Sequence, residues 1–107
     1  MTNQFIPAAK MLQISVPGDL LSTNADQFRA GARAALDAPV MVTDWLGVEL
    51  DLTRARIVDS AGLNAIVGII RELEGMGKKT LIRVGDPHVH RVCLFTRLDR
   101  IAEIVRN

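Results

Sequence analysis

Hydrophobic and polar positions along the 107-residue chain fall into short segments of clear period. Leu12-Gln13-Ile14-Ser15-Val16 alternates with period two, the pattern of a half-buried strand, and Pro17-Gly18-Asp19 breaks it into a turn or bulge. Between Asn24 and Leu36, Ala25, Phe28, Ala32 and Leu36 recur at helical spacing, with Asn24 or Thr23 placed to cap the start and Pro39 just past the end. Val48-Glu49-Leu50-Asp51-Leu52 alternates again. Its valine and leucines point one way and its two carboxylates the other, which predicts a strand with one wet or partly covered face. Val40, Met41 and Val42 leave room for another short strand, whose edges Pro39 and Gly47 blur.

From Ser60 the period becomes helical. Leu63, Ile66, Val67, Ile70, Leu73 and Met76 form one apolar stripe, and Gly75 and Gly77 mark its end. Thr80 to Val84 reads as a buried strand. Asp86 caps a third helix with Pro87 in its first turn and Val89, Val92, Cys93 and Leu94 facing inward. The tail Ile101-Ala102-Glu103-Ile104-Val105 fits a strand or a short terminal helix equally well. Alternating strands and helices predict an α/β fold, with helices packed on a central sheet.

Composition narrows the function classes. At 49% hydrophobic residues the chain can close a single core, and one domain is expected over residues 1–107. Thirteen Lys and Arg against twelve Asp and Glu leave a net charge of +1, with the signs interspersed, so no basic block asks for nucleic acid. The four aromatic residues, Phe5, Phe28, Trp45 and Phe95, are too scattered to stack bases. Met1 to Leu12 holds Pro7 and Lys10 and lacks the apolar run of a signal peptide, and no window approaches the ~18 apolar residues of a membrane span. A cytoplasmic location without membrane insertion is expected. The single cysteine, Cys93, lies among Val92, Leu94 and Phe95 and reads as a core residue.

Catalytic and cofactor motifs fail on inspection. His88, His90 and Cys93 do not share one helical face, which argues against a metal site. In the run Gly75 to Thr80, Glu72 stands where a phosphate loop needs its first glycine, and the segment passes from helix to strand, the reverse of that loop's order. Val58 stands where a nucleophile elbow needs glycine two residues before Ser60. The expectation is a non-enzyme without cofactors.

The informative stretch is Ile57-Val58-Asp59-Ser60-Ala61-Gly62-Leu63, where a strand exit leads into a helix through small and polar residues. It presents a hydroxyl at a helix N-terminus, where unpaired N–H groups and the macrodipole favour an anion by ~0.3–1 kcal/mol. A phosphate on Ser60 is expected to fit there. Ala61 and Gly62 leave the hydroxyl unshielded, Asp59 is placed to cap the helix or to hold the serine, and Arg54 and Arg56 stand ready to pair with added charge. On the helix itself, Asn64, Gly68 and Arg71 offer a docking face, and Gly68 costs roughly 1 kcal/mol against alanine, which implies close approach of something. A packed element of the same domain satisfies that requirement as well as a partner does.

An apolar acidic strand, a short loop, Asp59-Ser60-Ala61-Gly62-Leu63 and a long amphipathic helix together resemble a STAS domain of the anti-sigma factor antagonist type. Gly18-Asp19-Leu20 resembles the family's early turn, and His90-Arg91-Val92 through Thr96-Arg97-Leu98-Asp99 its C-terminal helix and exit, so the resemblance runs from about Leu12 to Val105. It implies a single STAS-like α/β domain with a small mixed central sheet and packed α-helices, and a phospho-switch. The unphosphorylated protein binds an anti-sigma factor serine kinase and frees a sigma factor, phosphorylation of Ser60 releases it, and a phosphatase resets it. The implied partner contacts are Asp19, Ser22, Thr23, Asp59, Ser60, Ala61, Gly62, Asn64 and Gly68. Ala61 replaces a second hydroxyl found in several relatives. Leu21 stands where they often carry an acidic residue, which leaves Ser22 or Thr23 to take that contact. The competing expectation is a structural STAS module of a signalling scaffold or a membrane-transporter accessory complex, with Ser60 only a helix cap.

Overall fold

The computed structural model describes residues 2–6, 10–37 and 45–107. Five strands, β1 (Thr2–Ile6), β2 (Met11–Ser15), β3 (Gly47–Leu52), β4 (Lys79–Val84) and β5 (Glu103–Arg106), form one sheet in sequential order. β1 runs antiparallel to β2, and β2 through β5 are parallel, which makes the small α/β domain's sheet mixed as expected. Each parallel step is crossed by a helix: α1 (Ala25–Leu36), α2 (Ser60–Gly75) and α3 (Pro87–Phe95). Successive right-handed crossovers in a sequentially ordered sheet place all three helices on one face.

The core lies between that face and the helices. Leu12 and Ile14 of β2, Val48, Leu50 and Leu52 of β3, and Ile82 and Val84 of β4 pack against Phe28, Ala32, Ile66, Ile69, Ile70, Leu73, Val89 and Cys93. Each fully buried leucine or isoleucine contributes about 1.5–3 kcal/mol relative to exposure. The predicted inward alternation of β3 holds, and Cys93 is a core residue.

Several local expectations are corrected. Asn24 is the N-cap of α1, yet its side chain makes no capping bond; its Oδ1 accepts from the Leu21 N–H and its Nδ2 donates to the Asp19 carbonyl, tying down the preceding loop instead. The buried face of α2 is Gly62, Ala65, Ile66, Ile69, Ile70 and Leu73, with Leu63 and Val67 only partly covered and Met76 exposed past the helix end. β4 begins at Lys79 and alternates, so it is buried on one face only. Leu94 faces outward, next to a Phe95 that is 87% exposed. The ambiguous tail resolves as β5, while the candidate strand at Val40 to Val42 lies outside the described residues. β1 was unforeseen.

The helix-free face carries a ladder of polar side chains. Gln4 Nε2 donates to Gln13 Oε1 at 2.7 Å, Gln13 Nε2 to Glu49 Oε2 at 2.6 Å, and Arg83 Nη2 to Glu49 Oε1 at 2.9 Å. Arg83 Nη1 reaches the Asn107 Oδ1 beyond β5 at 3.3 Å. Glu49 is the hub, and its carboxylate is mostly shielded from solvent. Removing it leaves Gln13 and Arg83 without their acceptor, so Glu49→Ala is expected to cost about 1–3 kcal/mol in urea denaturation. A double-mutant cycle with Arg83→Ala should give a non-zero coupling; wild-type stability in Glu49→Ala would show the ladder to be ornamental.

Candidate functional site

β2 and β3 are adjacent and parallel, so their C-terminal ends deliver two loops to the same place: residues 16–24 before α1 and residues 53–59 before α2. The loops are stitched together by backbone bonds. Leu20 N donates to the Ile57 carbonyl at 3.1 Å, Asp59 N donates to the Leu20 carbonyl at 3.2 Å, and Leu20 pairs with Val58 as an isolated parallel bridge.

Two carboxylates complete the stitching in opposite directions. Asp19 Oδ1 accepts from the backbone N–H groups of Arg56 at 2.8 Å and Ile57 at 3.1 Å. Asp59 Oδ2 accepts from Ser22 N at 2.8 Å, while its Oδ1 accepts from Gly62 N at 2.8 Å and caps α2. The Gly62 N–H, then the Ser22 N–H, hold the Asp59 carboxyl below its ordinary 3.8, against a smaller opposing effect of desolvation. Gly62 is required by space: a Cβ there would lie 2.3 Å from the Leu20 carbonyl oxygen.

Ser60 occupies the first position of α2 and is exposed, and among the described residues its hydroxyl has no hydrogen-bond partner. At the helix start the Asp59 carboxylate already accepts the Gly62 N–H, beside the exposed Ser60 hydroxyl. Arg54 and Arg56 are exposed in the same loop, and no ion pair engages either side chain among the described residues.

The predicted contact residues divide. Ser22, Thr23, Ser60 and Asn64 are exposed and Ala61 is partly so, whereas Asp19 and Asp59 spend their carboxylates on the neighbouring loop and Gly62 is buried. At Gly68 a Cβ would meet the Arg29 guanidinium of α1 at 3.4 Å, an ordinary contact with a flexible side chain, so nothing within the described chain requires a glycine there. Beside it, Arg33 of α1 and Glu72 of α2 form an ion pair at 2.8 Å. Sequence reasoning missed Ile57, an isoleucine 51% exposed between the two loop clasps. Its only signal was an apolar residue next to Arg56 with no alternating partner. Among the described residues no cluster of three side chains is arranged to hold a metal ion, and no helix is long and apolar enough to cross a membrane.

The family model described as the STAS domain matches residues 4–107. The chain belongs to the STAS domain family. The match extends the resemblance read from about Leu12 to Val105 at both ends, taking in β1. Among solved structures, this STAS domain is similar to TM1081 of Thermotoga maritima, a proposed anti-sigma factor antagonist. That crystal structure has a TM-score of 0.82 at 21% identity, with 99% of this chain and 85% of that one covered. The NMR structure of TM1081 gives 0.73 at 22% identity, covering 98% and 79%. The anti-sigma factor antagonist SpoIIAA, in its unphosphorylated form, gives 0.68 at 21% identity, covering 97% and 86%. At these identities the likeness carries the fold. A sequence comparison with curated proteins finds no match.

Two outcomes follow from the clasp. Gly62→Ala forces a methyl against the Leu20 backbone and should lose roughly 1–3 kcal/mol in chemical denaturation; unchanged stability would contradict the tight loop junction. The depressed Asp59 carboxyl stabilises the fold above pH ~4, and that contribution is lost as the pH falls through its lower folded value. Stability measured from pH 6 to 2 should therefore fall less steeply in Asp59→Asn than in the native chain. Parallel curves would remove Asp59 from the acid response.

Proposed function

We propose that this STAS domain is an anti-sigma factor antagonist that works as a phospho-switch at Ser60. The observation that carries the reading is the exposed, unengaged Ser60 hydroxyl on a helix start fixed from both sides by the Asp19 and Asp59 clasps. A kinase acting on it meets no blocking side chain from Ala61 or Gly62 and need not unfold the loop. The unphosphorylated domain binds an anti-sigma factor that is also a serine kinase and so frees a sigma factor. The docking surface is the exposed ring of Ser22, Thr23, Ile57, Ser60 and Asn64.

The same geometry explains release. A phosphate on Ser60 adds its two negative charges next to the Asp59 carboxylate, which already accepts the Gly62 N–H of the helix start. Burying that dianion against a partner requires its desolvation, so affinity falls while the fold is retained. A phosphatase resets the domain. The reading takes support from the fold shared with SpoIIAA, an anti-sigma factor antagonist solved in its unphosphorylated form.

Incubation with a cognate kinase and ATP should add one phosphate to the native chain, seen by intact mass, and none to Ser60→Ala. Ser60→Asp should bind the kinase at least about tenfold more weakly than the native chain by titration calorimetry. Equal binding by native, Ser60→Ala and Ser60→Asp proteins would end the switch model and favour a structural module.

A further inference from the structure

At the pole opposite Ser60, where the parallel strands begin and α2 ends, the fold leaves an open cavity of about 730 Å³. That volume lies within the ~300–1,000 Å³ typical of small-molecule sites. Met11, Leu46, Leu81, Ile101 and Ala102 give it an apolar lining, and Thr80 of β4 completes the wall. Six charged side chains surround it: Glu74, Asp99 and Glu103 against Lys78, Lys79 and Arg100. Their charges cancel. Lys78 is further committed, with its Nζ donating to the Trp45 carbonyl at 2.8 Å and lying 4.8 Å from the centre of the Trp45 ring.

A second observation is independent of the cavity's shape. Thr80 is the buried polar residue of the described core, only 5% exposed, and its hydroxyl has no hydrogen-bond partner. Valine has the same shape and would fill the position without leaving a polar group unpaired. Rotation about χ1 carries the hydroxyl to another staggered position, which gives the unpaired group a route out of its buried setting in a residue that lines the cavity. An apolar lining, a neutral balance of charges and one unpaired hydroxyl define a ligand class.

We propose that this cavity binds an uncharged, mainly apolar small molecule carrying a single hydrogen-bonding group, and that Thr80 is the residue that recognises that group. The site is separate from Ser60: the 16-residue α2 spans ~24 Å between the switch end and the cavity end.

The probe is N-phenyl-1-naphthylamine, a neutral apolar fluorophore with one N–H group. Titrated into the intact chain, it should bind saturably at one site, with fluorescence enhancement and amide shifts centred on Leu46, Leu81, Ile101 and Ala102 in proton–nitrogen spectra. Thr80→Val should raise Tm, because the unpaired hydroxyl is gone, and weaken the probe by at least about fivefold. Ile101→Arg, which sets a charge in the lining, should abolish binding while Ser60 amides keep their positions. The sulfonated analogue 1-anilinonaphthalene-8-sulfonate should bind more weakly than the neutral probe. Three results would each overturn the assignment: non-saturable binding, shifts centred on Phe95 or Ile57 with the cavity amides unmoved, or undiminished affinity in Thr80→Val. Tighter binding of the sulfonated analogue would overturn the neutral-ligand class.

Discussion

The reciprocal clasp of Asp19 and Asp59 fixes everything at the switch end of the fold. Each carboxylate stands in one βα loop and accepts backbone N–H groups from the other, so neither loop can shift without breaking bonds made by its neighbour. The arrangement depends on β2 and β3 being parallel and adjacent, since only then do both loops leave the sheet at the same edge. It depends equally on Gly62, because α2 begins in contact with the Leu20 carbonyl and has no room for a side chain there. Sheet order, a glycine and two acids thus determine where the Ser60 hydroxyl stands.

That constraint changes how added charge acts. An open helix N-terminus would receive a phosphate and draw it inward, with local rearrangement as the signal. Here the Asp59 carboxylate already accepts the Gly62 N–H of that first turn, and this bond, with the one from the Ser22 N–H, holds its pKa below the ordinary value. Under the phospho-switch reading, the signal is then a change of surface potential with little change of shape, and discrimination falls to the partner's charge. The exposed Ile57 gives the same surface an apolar contact that phosphorylation does not alter.

Local chemistry was legible in the sequence wherever a single element decided it. The alternation of β3 and the Asp86 cap with Pro87 behind it depend on neighbours within a few residues and were read correctly, and of the two roles open to Asp59 the structure shows the cap. The failures involve partners distant in sequence. Asn24 has the composition of a cap, but the backbone it serves is the folded loop at Asp19 and Leu21. The clasp made by Asp19 was invisible because the N–H groups its carboxylate accepts, those of Arg56 and Ile57, lie 37 and 38 positions away. Gly68 signalled close approach, but what packs over it, the Arg29 guanidinium of α1, stands at ordinary contact distance. β1 escaped notice because its pairing with β2 is what makes it a strand, and Met76 looked like core because periodicity continues past the point where the helix stops.

The helix-free face raises a different question of stability. Parallel strands are ordinarily covered on both faces, because their hydrophobic runs leave neither side suited to water. Here β2 to β5 are parallel and every helix sits on one side, so the other face must be made compatible with solvent by its side chains. The ladder from Gln4 through Gln13, Glu49 and Arg83 to Asn107 does this with groups that satisfy one another across the sheet. It also guards the register. Because strand side chains alternate, a slip of one residue in β3 would bring Glu49 into the core and Leu50 into the ladder. Hydrophobic burial on one face and hydrogen bonding on the other therefore reject the same error, and the loops that form the clasp inherit their alignment from that agreement.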